Sequence, residues 1–379
     1  MTAPATSEQS PEADAAEDPD YLSRQLITCL GNKRALLVPI ADAVAAVRRR
    51  LGGRRLRVLD GFSGSGIVSR YLKQHASFLA ANDLETYAAV VARCHLRNRS
   101  TVDTAQIREV VDGLNTAVRH EGRSGFIESL YAPRDEACIG VTDRVFYTRE
   151  NARRLDSYRQ MIGELPPGLH DLCLGPLLSD ASIHANTAGV FKGFYKDRRT
   201  GVGRFGGSHA DALDRIRGEI RLEPPVLSLF ECDVQVTELD VAVAAAETRD
   251  LDLAYFDPPY NQHPYGSNYF MLNLVATYRP PATISPVSGI PANWNRSGFN
   301  QRARALPLLR HLCEVTDARF LLVSYNDEGF IPLEDMRALL AGLGSVEIFT
   351  TRYAAFRGSR NLRQRPLHVH EHLFLVERH

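Results

Sequence analysis

The sequence predicts an α/β protein: an open, mostly parallel sheet flanked by helices and interrupted by one large insertion. Three observations predict it. A short strand, Leu56–Asp60, runs into a glycine-rich turn, Gly61-Phe62-Ser63-Gly64-Ser65-Gly66, that opens a helix. Glycines there let the backbone bend tightly and approach a ligand closely. A second strand ends in Asn82-Asp83; an acid about 20 residues past such a turn is where doubly wound folds meet ribose hydroxyls. A third apolar run, Leu251–Phe256, stops at Asp257-Pro258-Pro259-Tyr260. Proline cannot donate to a sheet ladder and holds the residue before it extended, so the strand ends there on a stiff tip. In open α/β sheets such carboxyl ends are where ligands bind.

The bulk composition agrees with this class. A chain of 379 residues has room for a full α/β domain and a second module. Its 44% hydrophobic and 24% charged content is ordinary for a globular protein. Formal net charge is zero, so the overall balance points to no particular partner. The basic residues are nearly all Arg, which suits phosphate and base-edge contacts, although skewed codon usage produces the same bias. Six cysteines are scattered with no C-x-x-C pair, which excludes a zinc ribbon or a disulfide framework and fits a reduced, cytoplasmic protein. Residues 1–19 lack the apolar core of a signal peptide, and no apolar run is long enough to span a membrane.

Taken in order, Met1–Pro19 reads as a disordered acidic tail. Gly31-Asn32 is a turn that opens a helix over Leu36–Arg50, with Lys33 beside it. Lys33 either caps that helix or contacts a cofactor or phosphate, the second reading being favoured by the adjacent turn. After the glycine turn come the helix Ile67–Gln74 and the strand Phe78–Ala81. Residues 97–225 break the pattern, being turn-rich and polar with a compact apolar signal at Asp171–Leu178. Within them, Lys192, Lys196, Arg198, Arg199 and Arg204 alternate with Phe191, Phe194, Tyr195 and Phe205. Basic residues interleaved with aromatics suit phosphate contact and base stacking; the alternative is a solvated loop.

The sheet resumes with an expected strand Val226–Glu231, placing Asp233 just past its end. Asp233 there either binds a cofactor's adenine amine or caps the next helix, 237–248. The Asp257 strand follows, then a polar-aromatic loop with Tyr265, Asn268 and Tyr269 and a helix at Phe270–Ala276. A helix over Asn300–Thr316, a strand Phe320–Ser324 and a helix Leu333–Leu343 come next. Val346–Tyr353 and His370–Val376 alternate as an antiparallel edge pair, separated by the basic loop Arg357–Arg365. That loop is read as either solvated or DNA-contacting. His263 and the His368/His370/His372 set invite a metal, but strand alternation explains the latter equally well, and no metal is assigned.

The tip at Asp257 has a chemistry of its own. An ionised carboxylate and the neighbouring Pro258 carbonyl are two acceptors side by side. Together they can hold both hydrogens of an exocyclic NH2, while Tyr260 offers a face for a planar ring. The amine so held is an adenine N6 or a cytosine N4. Asp-Pro-Pro-Tyr can equally be a strand-ending turn, and the rest of the chain has to separate these readings.

With these pieces in place, the chain resembles the Dam-like, D12-class DNA N6-adenine methyltransferases. The resemblance rests on Leu30-Gly31-Asn32-Lys33, on Phe62-Ser63-Gly64-Ser65-Gly66, on Asp83 and on Asp257–Tyr260, in one order. It extends over most of the chain from Tyr21; Cys29 departs from it, standing where relatives often carry an aromatic. It implies a Rossmann-like methyltransferase sheet over 20–96 and 226–379, with an antiparallel C-terminal edge hairpin and with 97–225 as an α-type target-recognition insertion. It implies S-adenosylmethionine as cofactor, held by Gly31, Asn32, Lys33, Asp60, Phe62, Ser63, Gly64, Ser65, Gly66, Asp83 and Asp233. Asp257, Pro258, Pro259 and Tyr260 become catalytic. Lys192, Lys196, Arg198, Arg199, Arg204, Tyr265, Asn268 and Tyr269 become contacts to double-stranded DNA, and a cognate restriction endonuclease becomes a candidate partner. Two alternatives stay open: methylation of an RNA adenine, and a non-catalytic DNA-binding module that keeps the fold.

Overall fold

The computed structural model describes residues 17–27, 33–207, 212–354 and 368–379. Among them, seven strands form one sheet: β1 (Leu56–Asp60), β2 (Ala76–Asn82), β3 (Asp233–Thr237), β4 (Leu251–Phe256), β5 (Ala318–Asn326), β6 (Gly344–Ala354) and β7 (His368–Arg378). Their order is β3-β2-β1-β4-β5-β7-β6. The first five are parallel, and β7 runs antiparallel to both β5 and β6. This is the Rossmann-like sheet with an antiparallel edge pair that the sequence predicts.

Burial on both faces explains the apolar strands. On β4, Leu253 and Tyr255 pack into the layer that holds the helix Leu37–Arg50 and the helix Ile67–Lys73. Ala254 and Phe256 pack into the opposite layer, with the helices Val241–Glu247, Arg302–Val315 and Leu333–Ala341. The register fixes one functional rim. Asp60 lies opposite Tyr255, Asn82 opposite Thr237, and Asn326 opposite Glu371. The strand order reverses between β1 and β4, so a crevice opens at that rim.

Three expectations need correction. Residues 97–225 are largely helical, with helices Thr104–Glu121, Phe126–Tyr131, Arg149–Glu164 and Pro167–Ile183. Their apolar faces share one core with the helices Thr86–His95 and Phe270–Thr277. Second, Val226–Glu231 is irregular, and β3 begins only at Asp233. The Ser228 hydroxyl is tied to the Glu17 carboxylate, which also accepts from Leu229 N, so side chains rather than a strand hold this run. Third, residues 17–19 are not part of a free tail: Glu17 makes those bonds, and Pro19 opens the helix Pro19–Ser23. No described helix is long and apolar enough to cross a membrane.

Candidate active site

A deep cleft lies on the functional rim, between the ends of β1, β2, β3 and β4. The glycine turn forms its floor. Gly64 (φ 51°) and Gly66 (φ 76°) take left-handed conformations that a side chain would strain, and Gly66 leads directly into the helix Ile67–Lys73. The turn is held from two sides. Ser63 N donates to Asn82 O at 2.9 Å, and Gly64 N donates to Asp83 Oδ2 at 2.7 Å. Asp83 Oδ1 accepts from Glu85 N at 2.9 Å. Burial pushes the Asp83 carboxyl up to about 6, against the pull of these backbone N–H groups. Glu85 lines the same cleft, where Asn273 and Asn295 amides hold its Oε2; burial raises its carboxyl to about 7.

Lys33, Phe62, Ser63, Gly64, Ser65 and Asp83 all line this cleft. Two other members of the expected cofactor set, Asp60 and Asp233, are placed differently. Asp60 is fully buried beneath the turn, where Oδ2 accepts from Ser69 Oγ at 2.5 Å, so it braces the turn and does not face the cleft. Burial lifts its carboxyl to about 7, opposed by the Ser69 hydroxyl. Asp233 is an outright correction. It pairs with Phe78 at the start of β2, is exposed, and stands at the far end of β3 from the cleft, because β3 starts where the sequence reading ended it. The acid at the cleft end of this strand is Asp240, beside Leu239 and Val241. Gly31 and Asn32, with the Leu30–Asn32 part of the amino-terminal motif and Cys29, lie outside the described residues, as does the loop 357–365.

At the β4 end, Asp257 and Pro259 line the cleft while Pro258 is buried. Lys33 Nζ lies 3.0 Å from Asp257 Oδ1, a contact of charge rather than of an aligned hydrogen bond. Burial raises the Asp257 carboxyl, and the Lys33 ammonium opposes that rise. Burial works against the ammonium too, but Asp257 and Glu371 outweigh it and hold Lys33 protonated well above the usual lysine range. Tyr260 is half-buried at the edge of the cleft, its ring edge-on to Tyr325 at 6.2 Å and 5.8 Å from Lys33 Nζ.

The expected DNA contacts divide in the same way. Tyr265 lines the cleft across from Asp257 and stacks on Tyr269 at 5.7 Å. Tyr269 itself is fully buried against Tyr87, and Asn268 is buried with its carbonyl accepting from Phe191 N at 2.6 Å. Both therefore belong to the core, because the chain folds straight from the helical turn Tyr265–Asn268 into Phe270–Thr277. Phe191 and Phe194 are likewise core, packed on Phe146, which withdraws them from base stacking. Lys196, Arg198 and Arg199 are exposed on a small hairpin closed by the Lys196–Gly203 bridge, and Lys192 is exposed on the segment leading into it. Arg204 folds back to donate to Gly207 O at 2.7 Å.

Residues further along the chain complete the cleft: Asn295, Ser297, Phe299 and Asn300 from the segment 295–300, and Arg304 from the first turn of the helix Arg302–Val315. The predicted helix Asn300–Thr316 contains Asn300 and Arg304, but nothing in its periodicity pointed to the cleft, and only packing over the rim brings these residues in. Among the described residues no group of three or more His, Cys, Asp or Glu is placed to hold a metal ion.

A switch-point cleft with a glycine floor, rim acids and an Asp-Pro-Pro tip at the end of β4 is the arrangement of a Rossmann-like transferase with a nucleoside cofactor. The chain belongs to the D12 class N6 adenine-specific DNA methyltransferases, whose family model matches residues 30–285. It is 26% identical over 329 residues to the type II methyltransferase M.NlaIII of Neisseria lactamica, covering 84% of this chain and 90% of that one. It is 25% identical over 338 residues to the type II methyltransferase M.CviAII of Paramecium bursaria Chlorella virus 1, covering 87% and 93%. Modification methylase StsI of Streptococcus sanguinis is 25% identical over 366 residues, and there the chain spans only 51% of the relative's length. The protein is thus an S-adenosylmethionine-dependent DNA adenine-N6 methyltransferase.

The cleft fits that cofactor. Asp83 presents a carboxylate at the end of β2, where ribose hydroxyls are met. Ser63 Oγ is buried in the cleft wall without a hydrogen-bond partner among the described residues, a free polar atom for the cofactor's polar end. Ile67, Val68, Leu308 and Leu312 supply apolar wall for a purine.

Proposed function

We propose that Asp257 and the Pro258 carbonyl hold the two N6 hydrogens of a target adenine and turn its nitrogen lone pair into the cleft. What carries this reading is the position of Asp257: a carboxylate at the inner end of the cleft, ion-paired to Lys33, with Tyr265 and Tyr260 on either hand. The cofactor supplies an electrophilic methyl; the protein positions the amine, an effect worth roughly 7–11 kcal/mol when two reactants are aligned. An adenine in a duplex cannot reach Asp257, so the base is flipped out of the stack. The exposed segment bearing Lys192, Lys196, Arg198 and Arg199 contacts the DNA backbone, and Phe191 N at its start donates to Asn268 O in the turn that carries Tyr265. The helical region 97–225 is the target-recognition module, inserted between 20–96 and 226–379. The type II names of the relatives support a role as the modification member of a restriction-modification system, with a cognate endonuclease as partner. The five described cysteines are all unpaired, in keeping with a cytoplasmic setting. Tritium transfer from labelled cofactor to duplex DNA, single-stranded DNA and RNA, followed by mapping of modified bases, tests this reading. Labelling of RNA in preference to duplex DNA would overturn it.

Asp83→Ala is expected to weaken S-adenosylmethionine binding by about 1.5–3 kcal/mol, the worth of hydrogen bonds to a charged acceptor. Titration calorimetry measures this, and an unchanged Kd would leave Asp83 a bracing role through its bonds to Gly64 N and Glu85 N.

Tyr260 is assigned to stacking on the flipped adenine. Tyr260→Ala should then cost roughly 10- to 100-fold in transfer, since base–aromatic stacking is worth about 1–3 kcal/mol. Tyr260→Phe should be mild. The hydroxyl faces Asn326, so an anchoring role predicts the opposite pattern, with Phe as damaging as Ala. Fluorescence of 2-aminopurine at the target position separates the two, because only a stacking role blunts the flipping signal in the Ala variant.

A further inference from the structure

Glu371 has no part in the reading above, yet it is bonded to Lys33, the cation paired with Asp257. It sits near the amino end of β7, opposite Asn326 at the carboxyl end of β5. Its side chain is buried. Oε1 accepts from Lys33 Nζ at 2.7 Å and from Ser324 Oγ at 2.8 Å. Oε2 is buried with no hydrogen-bond partner among the described residues. Lys33 therefore stands between two carboxylates, 2.7 Å from one and 3.0 Å from the other.

A cation shared in this way is divided. If Lys33 had Asp257 alone, it would close fully on that carboxylate, and the oxygens meant for the target amine would be occupied by the ammonium. Glu371 draws the ammonium the other way. We propose that Glu371 is a positioning residue for methyl transfer: it shares the Lys33 ammonium with Asp257 and so keeps the Asp257 carboxylate open to accept the target amine. The inference rests on Asp257 being the acceptor.

The surroundings leave few rivals for this task. The groups facing Asp257 are Tyr255 from β4, Asp60 from β1, Ser324 from β5, Tyr260 and Tyr265 from the tip and loop, Lys33, and Glu371 from β7. Lys33 is the one cation among them. Burial is the largest influence raising the Asp257 carboxyl; Lys33 lowers it and the Glu371 charge raises it. Removing that charge must therefore shift Asp257 toward lower pKa while tightening the ammonium onto it.

The test is Glu371→Gln, which keeps the volume and an acceptor oxygen but removes the charge, with Glu371→Asp as the variant that keeps the charge. Single-turnover transfer to duplex DNA is followed across pH. For Gln, two opposite movements are expected. The plateau rate falls, by roughly tenfold, and the acid limb moves to lower pH by about one unit, the scale of a neighbouring charge. For Asp, the limb stays with the wild type even where the plateau falls. A Gln limb that coincides with the wild type overturns the inference, as does an Asp limb displaced as far as the Gln limb. Asp257→Ala is measured alongside. If it remains active, the acceptor assignment itself has failed; if it is inactive while the Gln limb is unmoved, only the role of Glu371 has failed.

Discussion

Asp257→Ala is expected to abolish methyl transfer, a loss of about 10²–10⁴-fold or more, the range for removing a group that handles the reacting proton. The adenine amine is a poor nucleophile because its lone pair is shared with the ring. A carboxylate drawing on the N6 hydrogens localises that pair, and alanine offers nothing in its place. The fold should survive. Lys33 keeps Glu371 as its partner at 2.7 Å, so no buried charge is left alone. Cofactor affinity should also survive, since the glycine turn and Asp83 come from other strands. Asp257→Asn separates charge from shape, because the amide keeps one acceptor oxygen but adds a donor that opposes the target's own hydrogens. Single-turnover tritium transfer, with calorimetry for the cofactor, checks the result. A rate within a few-fold of wild type would sink the assignment.

The second large effect is expected at Lys33. Lys33→Met removes the cation from between Asp257 and Glu371 and leaves two buried carboxylates facing each other. Breaking a buried ion pair from one side costs about 3–5 kcal/mol, so the melting temperature should fall clearly. The sign of the pH dependence follows from linkage. Without Lys33, Asp257 rises further above its unfolded value, so the folded state binds more protons than the unfolded one. Stability of the variant is then greatest near pH 4, around the unfolded carboxylate value, and declines as pH rises toward the raised folded pKa. Activity moves in the opposite sense. The ionised acceptor appears only at higher pH, so the acid limb shifts upward, against the downward shift expected for Glu371→Gln. Thermal melts and rate–pH profiles on the same preparations test both. A variant with wild-type melting temperature and an unmoved limb would show that Lys33 has no hold on Asp257.

Much of the fold was legible in the chain because its signals are local. A glycine turn between strand and helix, an acid one βα unit later, and a strand stopped by two prolines each depend on a few adjacent residues. They located β1, β2 and β4 and, through the rim they share, Asp83 and Asp257. Period-2 alternation located the β6–β7 pair for the same reason. Residue type and spacing thus determined the class of sheet, the glycine turn and the Asp-Pro-Pro strand end.

What failed were judgements about neighbours. Phe191, Phe194 and Tyr269 read as exposed binding aromatics, yet they are core, because burial is conferred by the helices that pack over them and not by the residues beside them in the chain. Asp233 was misplaced because an apolar run at Val226–Glu231 satisfies strand composition without having a strand to pair with. The pairing of Glu371 with Lys33 was beyond reach for the opposite reason, although the stretch Glu371–Val376 shares in the family resemblance. Glu371 lies 338 residues from Lys33, and only the antiparallel return of β7 beside β5 sets it on the rim where the other strands end. The sequence by itself determined the local motifs and the residue types they carry to the rim. The tertiary structure decided which of them share a charge, since electrostatic coupling in a buried site falls on whatever the fold brings within a few ångströms.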